Sequence, residues 1–326
     1  MSKDEETKQV IDREPQDRVI WAWFPVTFLT AFFCCVLWGS ASPAIKIAYN
    51  LFQIGPEDTA SRIMLAGARF MIAGAMTIAF GSVLAKKPLI PKRSSWKNIV
   101  ILSLFQTVGQ YYFFFMALAN TSGVRGSIIN ASGNFIAILF AAYIFRFEKM
   151  TVRKFLGCLV GFAGIIMILG GVQALMDGGA VTLAGEGAML VADFFYAASG
   201  CLIKVFSRDE NPVVLSGYQF LIGGAILFAI GSAIGGTLVF YSAGCVWNLL
   251  YMGFISAGAY TLWGVLLKYN PVSRVSILGF INPVMGVLLS ALFLGEGREA
   301  FSLRGLLSLV LVSAGIIIVN TSKKQS

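Results

Sequence analysis

Two ionisable side chains stand deep inside apolar stretches of this chain, and each could do chemistry there. Asp193, in "MLVADFFYAASG", could exchange a proton or pair with an amine. Arg69, in "LAGARFMIAG", could hold a carboxylate through its planar guanidinium. Ionisable groups are costly in apolar surroundings, so such positions are functional candidates. The structural alternatives are an ion pair of Asp193 with Arg69 or a lysine, and hydrogen bonds from Arg69 to helix carbonyls.

Two lysines occupy matching places near the ends of apolar runs. Lys46 follows "SPAI" and Lys204 follows "GCLI". Their correspondence suggests gate or access residues, one on each side of a central site. The ordinary explanation is that a long lysine side chain reaches from an apolar run to the polar interface.

Uncharged polar and aromatic residues form a second set of candidates. Asn130 and Asn134 are four apart and therefore share one helical face. Polar groups need hydrogen-bond partners in lipid, so we expect them to face the interior, and aromatic rings could stack on a substrate. Interhelical hydrogen bonds and ordinary ring packing are the alternatives. The complete set of cavity candidates is Trp38, Ser42, Arg69, Gln110, Tyr111, Asn130, Asn134, Asp193, Tyr196, Gln219, Tyr260, Trp263 and Asn282.

Several kinds of chemistry are excluded by what is missing. The chain has no histidine, and its five cysteines lie in apolar runs without CxxC spacing. No GxSxG, P-loop or HExxH motif occurs. We therefore expect no enzyme activity, no metal and no cofactor. The net charge of +9 does not point to nucleic acid, because the basic residues lie between hydrophobic runs.

The composition indicates lipid as the solvent. Of 326 residues, 57% are hydrophobic and only 13% are charged, whereas a soluble domain carries about 25% charged residues. A helix that crosses a bilayer needs about 20 mostly apolar residues. Residues 1–20 are polar and unlike a secretory signal, which predicts a cytoplasmic tail. Ten apolar runs follow, near 22–49, 62–84, 98–119, 126–145, 152–171, 185–206, 212–234, 245–267, 275–294 and 302–320.

Charge between the runs predicts the orientation. Lys86, Lys87, Lys92 and Arg93 fall between the second and third runs, whereas the connections at 172–184 and 235–244 carry no basic residue. Positive charge resists translocation, so the basic side is expected to be cytoplasmic. With ten spans, both termini are then cytoplasmic.

The sequence repeats itself. "AGIIMI" at 163–168 returns as "AGIIIV" at 314–319, and "RFMIAGA" at 69–75 returns as "QFLIGGA" at 219–225. This predicts two five-helix units, at 21–172 and 183–322. Because five is odd, the second unit is inverted relative to the first, an arrangement typical of secondary transporters. The predicted fold is an all-α integral membrane protein with ten transmembrane helices in two inverted five-helix repeats.

Several stretches resemble the EamA family of the drug/metabolite transporter superfamily. They include "LWGSASPAIK" at 37–46, "YYFFFMALANTSGVRGSIIN" at 111–130 and "FEKMTVRKFLGCLVGFAGIIMI" at 147–168. In the second unit the resemblance rests on "INPVMGVLLSALFLGE" at 281–296 and "LRGLLSLVLVSAGIIIV" at 303–319. Two departures stand out. The family's proline is kept in the second unit as Pro283, but Asn134 occupies the matching position of the first unit. The family's arginine is kept in the first unit as Arg69, but Gln219 occupies the matching position of the second unit.

The resemblance implies a carrier of the bacterial inner membrane, often an exporter of amino acids or related compounds. We therefore expect a secondary transporter that moves a small metabolite outward by alternating access. Its expected partners are membrane lipids and the substrate, with protons as a candidate coupling ion through Asp193. A non-selective channel and a non-transporting scaffold are the alternatives, and the sequence does not specify an oligomeric state.

Overall fold

The computed structural model describes residues 20–321, apart from 56, 148, 171–181, 271–274, 276–277 and the side chains of 264, 267 and 268. Throughout that part of the chain the secondary structure is helical, without strands. The helices are α1 (Phe24–Leu51), α2 (Thr59–Ala85), α3 (Arg93–Asn120), α4 (Gly123–Ile144), α5 (Val152–Ile168), α6 (Leu183–Phe206), α7 (Pro212–Ala233), α8 (Ala243–Tyr269), α9 (Ile281–Phe293) and α10 (Leu303–Asn320).

Eight of these helices are long and apolar enough to cross a membrane: α1 to α4, α6 to α8 and α10. The all-helical membrane architecture is thereby confirmed. Helix α5 has 17 residues and α9 has 13, so the count of ten spans stays a prediction. The predicted tail at 1–20 and the connection at 172–184 fall almost wholly outside the described residues.

The outer surface of the helices is apolar. Leu29, Leu292 and Val310 each leave more than half of the side chain exposed, at 63%, 73% and 62%. Contiguous exposed apolar surface of this kind marks contact with lipid or a partner rather than with water. Polar side chains such as Arg69, Gln106 and Gln219 are buried between the helices, which favours a solute site inside the bundle.

Two central helices depart from regular geometry. Helix α1 turns at Ser40, because Pro43 lacks the N–H that would bond to Gly39. A Cβ on Gly39 would lie 2.7 Å from the backbone nitrogen of Gly286, so only glycine lets α1 approach α9 this closely. Helix α3 widens into a π-helical stretch at Ser103–Gly109. Such widened turns often occur at functional sites.

The most extensive helix contact joins α2 to α7. A Cβ on Gly67 would lie 2.3 Å from the nitrogen of Phe228, and a Cβ on Gly74 would lie 2.7 Å from the carbonyl oxygen of Gly217. The helices therefore run antiparallel with their backbones in contact, as small residues permit in membranes. The glycines recur every seventh residue on both helices: Gly67, Gly74 and Gly81 on α2, and Gly217, Gly224 and Gly231 on α7.

This contact predicts a large stability effect at Gly67. A Gly67→Val variant should lower the free energy of unfolding by roughly 3 kcal/mol, because its side chain would meet backbone that cannot move aside. Thermal unfolding of the purified protein in detergent measures the change. Gly55→Ala is the control, since nothing lies within 4 Å of a Cβ there. Equal melting temperatures for both variants would contradict the close crossing.

The "AGII" repeats form a second antiparallel pair, between α5 and α10. A Cβ on Gly164 would lie 2.8 Å from the carbonyl oxygen of Ser308, and a Cβ on Gly315 would lie 2.7 Å from that of Gly157. A side chain at Gly161 would strike the ring of Phe135. The GxxxG at Gly157 and Gly161 therefore serves close helix packing.

Candidate functional site

A cavity of about 350 Å³ lies between the helices. Its walls come from α1 to α4 and from α6 to α9, whereas none of the described residues of α5 and α10 contributes. The structure brings ten of the thirteen predicted cavity candidates together here: Trp38, Arg69, Gln110, Tyr111, Asn130, Asn134, Tyr196, Tyr260, Trp263 and Asn282. The volume suits a small organic molecule.

Arg69 is the cationic group on this wall. Its side chain is 1% exposed, and it donates from Nε to the carbonyl oxygen of Met252 at 3.2 Å and from Nη2 to Ser256 Oγ at 3.3 Å. Nη1 is buried and has no hydrogen-bond partner. Within the described residues the ion pairs involve Arg125 instead, so the predicted alternative of an Arg69–Asp193 pair is wrong. The other alternative, bonding to a helix carbonyl, is partly correct.

Aromatic rings surround the guanidinium and the cavity. The Arg69 guanidinium carbon lies 4.8 Å from the ring centroid of Phe70 and 5.4 Å from that of Tyr111. Such contacts stabilise a cation that has no counter-ion. Also on the wall, the Trp38 ring lies 5.6 Å from Tyr260 and 5.1 Å from Trp263. The cavity thus offers one cation beside a broad apolar surface.

A chain of hydrogen bonds runs from Thr107 and Gln219, behind the wall, to the lining residues Gln106 and Tyr260. Thr107 Oγ1 donates to Gln219 Oε1 at 2.5 Å, Gln219 Nε2 donates to Gln106 Oε1 at 3.0 Å, and Gln106 Nε2 donates to the Tyr260 hydroxyl at 3.3 Å. Gln219 was predicted to line the cavity, but it is fully buried behind Gln106 and is not a lining residue. The π-helical stretch of α3 carries both Gln106 and Thr107.

Several polar side chains of the wall are available to a ligand. Gln110 Oε1 is buried without a hydrogen-bond partner. Asn130 and Asn282 line the cavity, and Asn134 Nδ2 donates to the carbonyl oxygen of Ala131 at 3.3 Å, where α4 is interrupted. These groups can donate to or accept from a neutral polar part of a substrate.

Asp193 and Ser42 are not lining residues, contrary to the prediction. The Asp193 carboxylate is 1% exposed and accepts from Ser132 Oγ at 2.6 Å. Tyr196, three residues later on α6, does line the cavity. Asp193 lies about one helical turn from Tyr196 along α6, where it is bonded to Ser132 of α4 and does not line the cavity. Ser42 follows the lining residue Ala41, and one residue rotates a helix by about 100°.

A cluster of charged and polar groups joins the helices at one end. Lys46 Nζ donates to the carbonyl oxygen of Thr121 at 2.6 Å, and Thr121 Oγ1 donates to Glu186 at 2.8 Å. Arg125 pairs with Glu186 at 3.2 Å and with Glu299 at 3.3 Å. With Glu296 this cluster forms what we name the polar latch: Lys46, Thr121, Arg125, Glu186, Glu296 and Glu299.

Glu296 makes the most specific contact of the polar latch. Its two carboxylate oxygens accept from the backbone N–H groups of Gly123 at 2.9 Å and Val124 at 2.8 Å. These N–H groups open α4, and a helix N-terminus favours a negative charge. A residue that follows α9 therefore caps a helix of the first sequence repeat. Sequence reasoning missed this role, because a glutamate after an apolar run resembles any exposed loop residue.

The cavity extends away from the polar latch. Ile203 and Pro212 line it, whereas Glu186 lies seventeen residues before Ile203 on α6. At 1.5 Å per residue the separation along the helix is about 25 Å. The polar latch thus closes one end, and the cavity reaches toward the other.

A second polar contact joins the two repeats at the far end. Glu210 accepts from the backbone N–H groups of Lys92 and Asn211 at 2.8 and 2.9 Å and from Ser95 Oγ at 2.8 Å. Partial burial alone would raise the pKa of Glu210, but these hydrogen bonds together hold it below its ordinary value. Their stabilisation is present above the ordinary pKa and is lost as the pH falls through the lowered one. Lys204, the second predicted gate residue, lies close to Glu210 in the sequence. It is exposed, and its Nζ lies 4.7 Å from the ring centroid of Phe147.

The two halves of the chain match one protein family separately. The family model described as the EamA-like transporter family matches residues 26–170 and again residues 183–321. The chain belongs to the EamA-like transporter family. The resemblance seen in the sequence is confirmed. With its membrane-length helices, this EamA protein is a multi-pass membrane transporter and not an enzyme.

Relatives of this EamA protein are named as transporters and efflux pumps. A probable amino-acid metabolite efflux pump of Salmonella typhimurium is 24% identical over 87% of this chain and 91% of its own length. An uncharacterized transporter of Synechocystis is 27% identical over 90% of this chain and 88% of its own length. A WAT1-related chloroplastic protein of Arabidopsis thaliana is 28% identical over 86% of this chain, which spans 65% of that relative.

A solved crystal structure shares the fold. It aligns with a TM-score of 0.63 and 20% sequence identity, over 90% of this chain and 96% of the other. At this identity the match concerns the architecture alone. The overall arrangement of the helices is therefore shared with a solved structure.

Proposed function

We propose that this EamA protein exports a small organic metabolite, an amino acid or related compound, across the cytoplasmic membrane by alternating access. The observation that carries the proposal is Arg69, a buried cation with an unpartnered nitrogen on the wall of the central cavity. Four helices of each matched segment enclose that cavity. A relative named as an amino-acid metabolite efflux pump supports the substrate class and the direction.

The proposed motion is a rocking of two inverted five-helix repeats, 21–172 and 183–322. The glycine contacts support the inversion. Gly67 on α2 meets the backbone at Gly224, and Gly74 meets Gly217. Gly217 is the counterpart of Gly67 and Gly224 is that of Gly74, each at an offset of 150 residues (217 − 67 = 150; 224 − 74 = 150), so each glycine meets the counterpart of the other. Reciprocal contact between equivalent residues is what a twofold axis produces, and here that axis would lie in the membrane plane.

Transport itself is tested in proteoliposomes. Vesicles preloaded with unlabelled amino acids and related carboxylates should take up the labelled compound by counterflow, and the uptake should saturate and be competed. Protein-free vesicles are the control. Flux that rises without saturation would favour a channel instead, and no uptake across a metabolite panel would favour a scaffold.

The proposed orientation places both termini and the loop at 86–95 in the cytoplasm. A Ser94→Cys variant should therefore react with a membrane-impermeant thiol reagent only when the cytoplasmic face is accessible, since Ser94 is exposed and the native cysteines are buried. Thr237→Cys, exposed on the loop between α7 and α8, should show the opposite sidedness. Labelling of Ser94→Cys in intact cells would overturn this topology.

A further inference from the structure

We propose that the substrate of the central cavity is a monocarboxylate of net negative charge, with an apolar body and without a required amino group. This inference rests on the proposed function and narrows its substrate class. The carboxylate would pair with Arg69, and the apolar body would lie against Trp38, Tyr260 and Trp263.

The charge of the wall is the first argument. Among the described lining residues Arg69 is the one that is permanently charged, and none is an aspartate or a glutamate. The buried carboxylates among the described residues are engaged by other groups, Asp193 by Ser132 and Glu186 by Thr121 and Arg125. A buried cation without a counter-ion is costly. A substrate carboxylate would remove that cost.

The donors of Arg69 are the second argument. Nε and Nη2 are held by Met252 and Ser256, so Nη1 remains as the buried donor without a partner. One unpartnered nitrogen on one cation, with its two N–H groups, fits a single carboxylate. A phosphate or a dicarboxylate would bring a second charge or several acceptor oxygens that this wall does not match.

The charge of the wall also distinguishes a monocarboxylate from an amino acid as the substrate. A zwitterion would bring its ammonium group into a wall with no anion, so that the site would keep a net positive charge. Gln110 Oε1 can accept a hydrogen bond from a neutral hydroxyl or amide, but it does not supply a negative charge. The expected order of affinity is therefore anion, then zwitterion, then neutral compound, then cation.

Four compounds with one skeleton test this order: 3-phenylpropanoate, phenylalanine, 3-phenylpropanamide and phenethylamine. Binding to the purified full-length protein at pH 7 is measured by isothermal titration calorimetry. We expect 3-phenylpropanoate to bind at least about tenfold more tightly than its amide, with phenylalanine between them. Equal affinities, tighter binding of phenylalanine or phenethylamine, or no binding of any of the four would overturn the proposal.

Variants of Arg69 test whether this side chain causes the preference for a carboxylate over an amide. Arg69→Gln should abolish the advantage of the carboxylate over the amide, and Arg69→Lys should retain part of it because the charge remains. Arg153→Gln removes a charge at an exposed site on α5 and should leave the order unchanged. If Arg69→Gln does not fold, the order of the four affinities in the wild-type protein and the carboxylate preference of Arg69→Lys still test the proposal. A carboxylate preference that persists in Arg69→Gln would overturn the assignment.

The binding experiment and the transport experiment can fail independently, so their outcomes distinguish the two proposals. If the predicted order holds but proteoliposomes show no saturable uptake, the proposed function fails and the charge preference stands. If vesicles transport zwitterionic amino acids and the order is reversed, the proposed function stands and this inference fails.

Discussion

A Glu296→Ala variant is expected to open the latch end of the cavity. Glu296 bonds two backbone N–H groups, of Gly123 and Val124, both of which are buried residues. Each buried N–H left without an acceptor costs about 1–3 kcal/mol. Because this cost applies only when the polar latch is closed, the ratio of open to closed molecules should rise by at least about tenfold.

The opening is measured by labelling a cysteine in the cavity. Ala41 lines the cavity, so an Ala41→Cys background can be labelled with a membrane-impermeant reagent applied in turn to each face of sealed vesicles. Glu296→Ala should raise the labelling rate from the face of the polar latch alone.

Glu299→Gln is the matched control for this variant. Glu299 belongs to the same latch, but its pair with Arg125 is about 30% exposed on both sides, and such pairs contribute about 0–1 kcal/mol. Its effect on labelling should be several-fold smaller. An unchanged rate in Glu296→Ala, or a larger effect in Glu299→Gln, would contradict the role of the helix cap.

An Asp193→Asn variant is expected to lose proton-driven transport by at least about tenfold while keeping counterflow. Asp193 is 1% exposed and accepts one hydrogen bond, from Ser132, with no cation paired to it among the described residues. An ionised carboxylate in such surroundings costs several kcal/mol. Binding and release of a proton would therefore change the energy of the α4–α6 contact, one turn from Tyr196.

The two kinds of transport are compared in the same proteoliposomes. Asparagine keeps the shape and the hydrogen-bond acceptor but cannot exchange a proton, so uptake driven by an imposed pH gradient should fall and counterflow should persist. Ser132→Ala, which removes only the hydroxyl donor, should retain coupling. Unchanged gradient-driven uptake in Asp193→Asn would refute the proton role.

Most of the cavity candidates could be found from the sequence because their residue types are rare at such depth. Arg69, Asn130 and Asn282 stand out against apolar neighbours, and the structure places all three on the wall. The predicted candidates that do not line the cavity were wrong because of the direction in which their side chains leave the helix. Depth in an apolar run does not specify which face of a helix a residue occupies, and neither Asp193 nor Gln219 faces the cavity.

Apolar and small lining residues could not be found in the same way. Phe114, Gly200, Ile203 and Gly279 line the cavity, yet each resembles dozens of other residues in its run. The polar latch was missed for a related reason. Arg125 lies 61 residues from Glu186 and 174 from Glu299. Contacts over such distances along the chain depend on helix packing, which local patterns do not encode.

The sequence by itself determined the solvent, the helical class, the family and the repeat, because these follow from composition and from patterns along one chain. The sequence contains the glycines that let α2 pack closely against α7, but it does not show that these two helices are in contact. Tertiary structure alone decided that Arg69 has no counter-ion among the described residues and that Glu296 caps a helix of the other repeat. Both depend on which groups meet across the interface between the repeats, where burial leaves one cation unpaired and gives one carboxylate two donors.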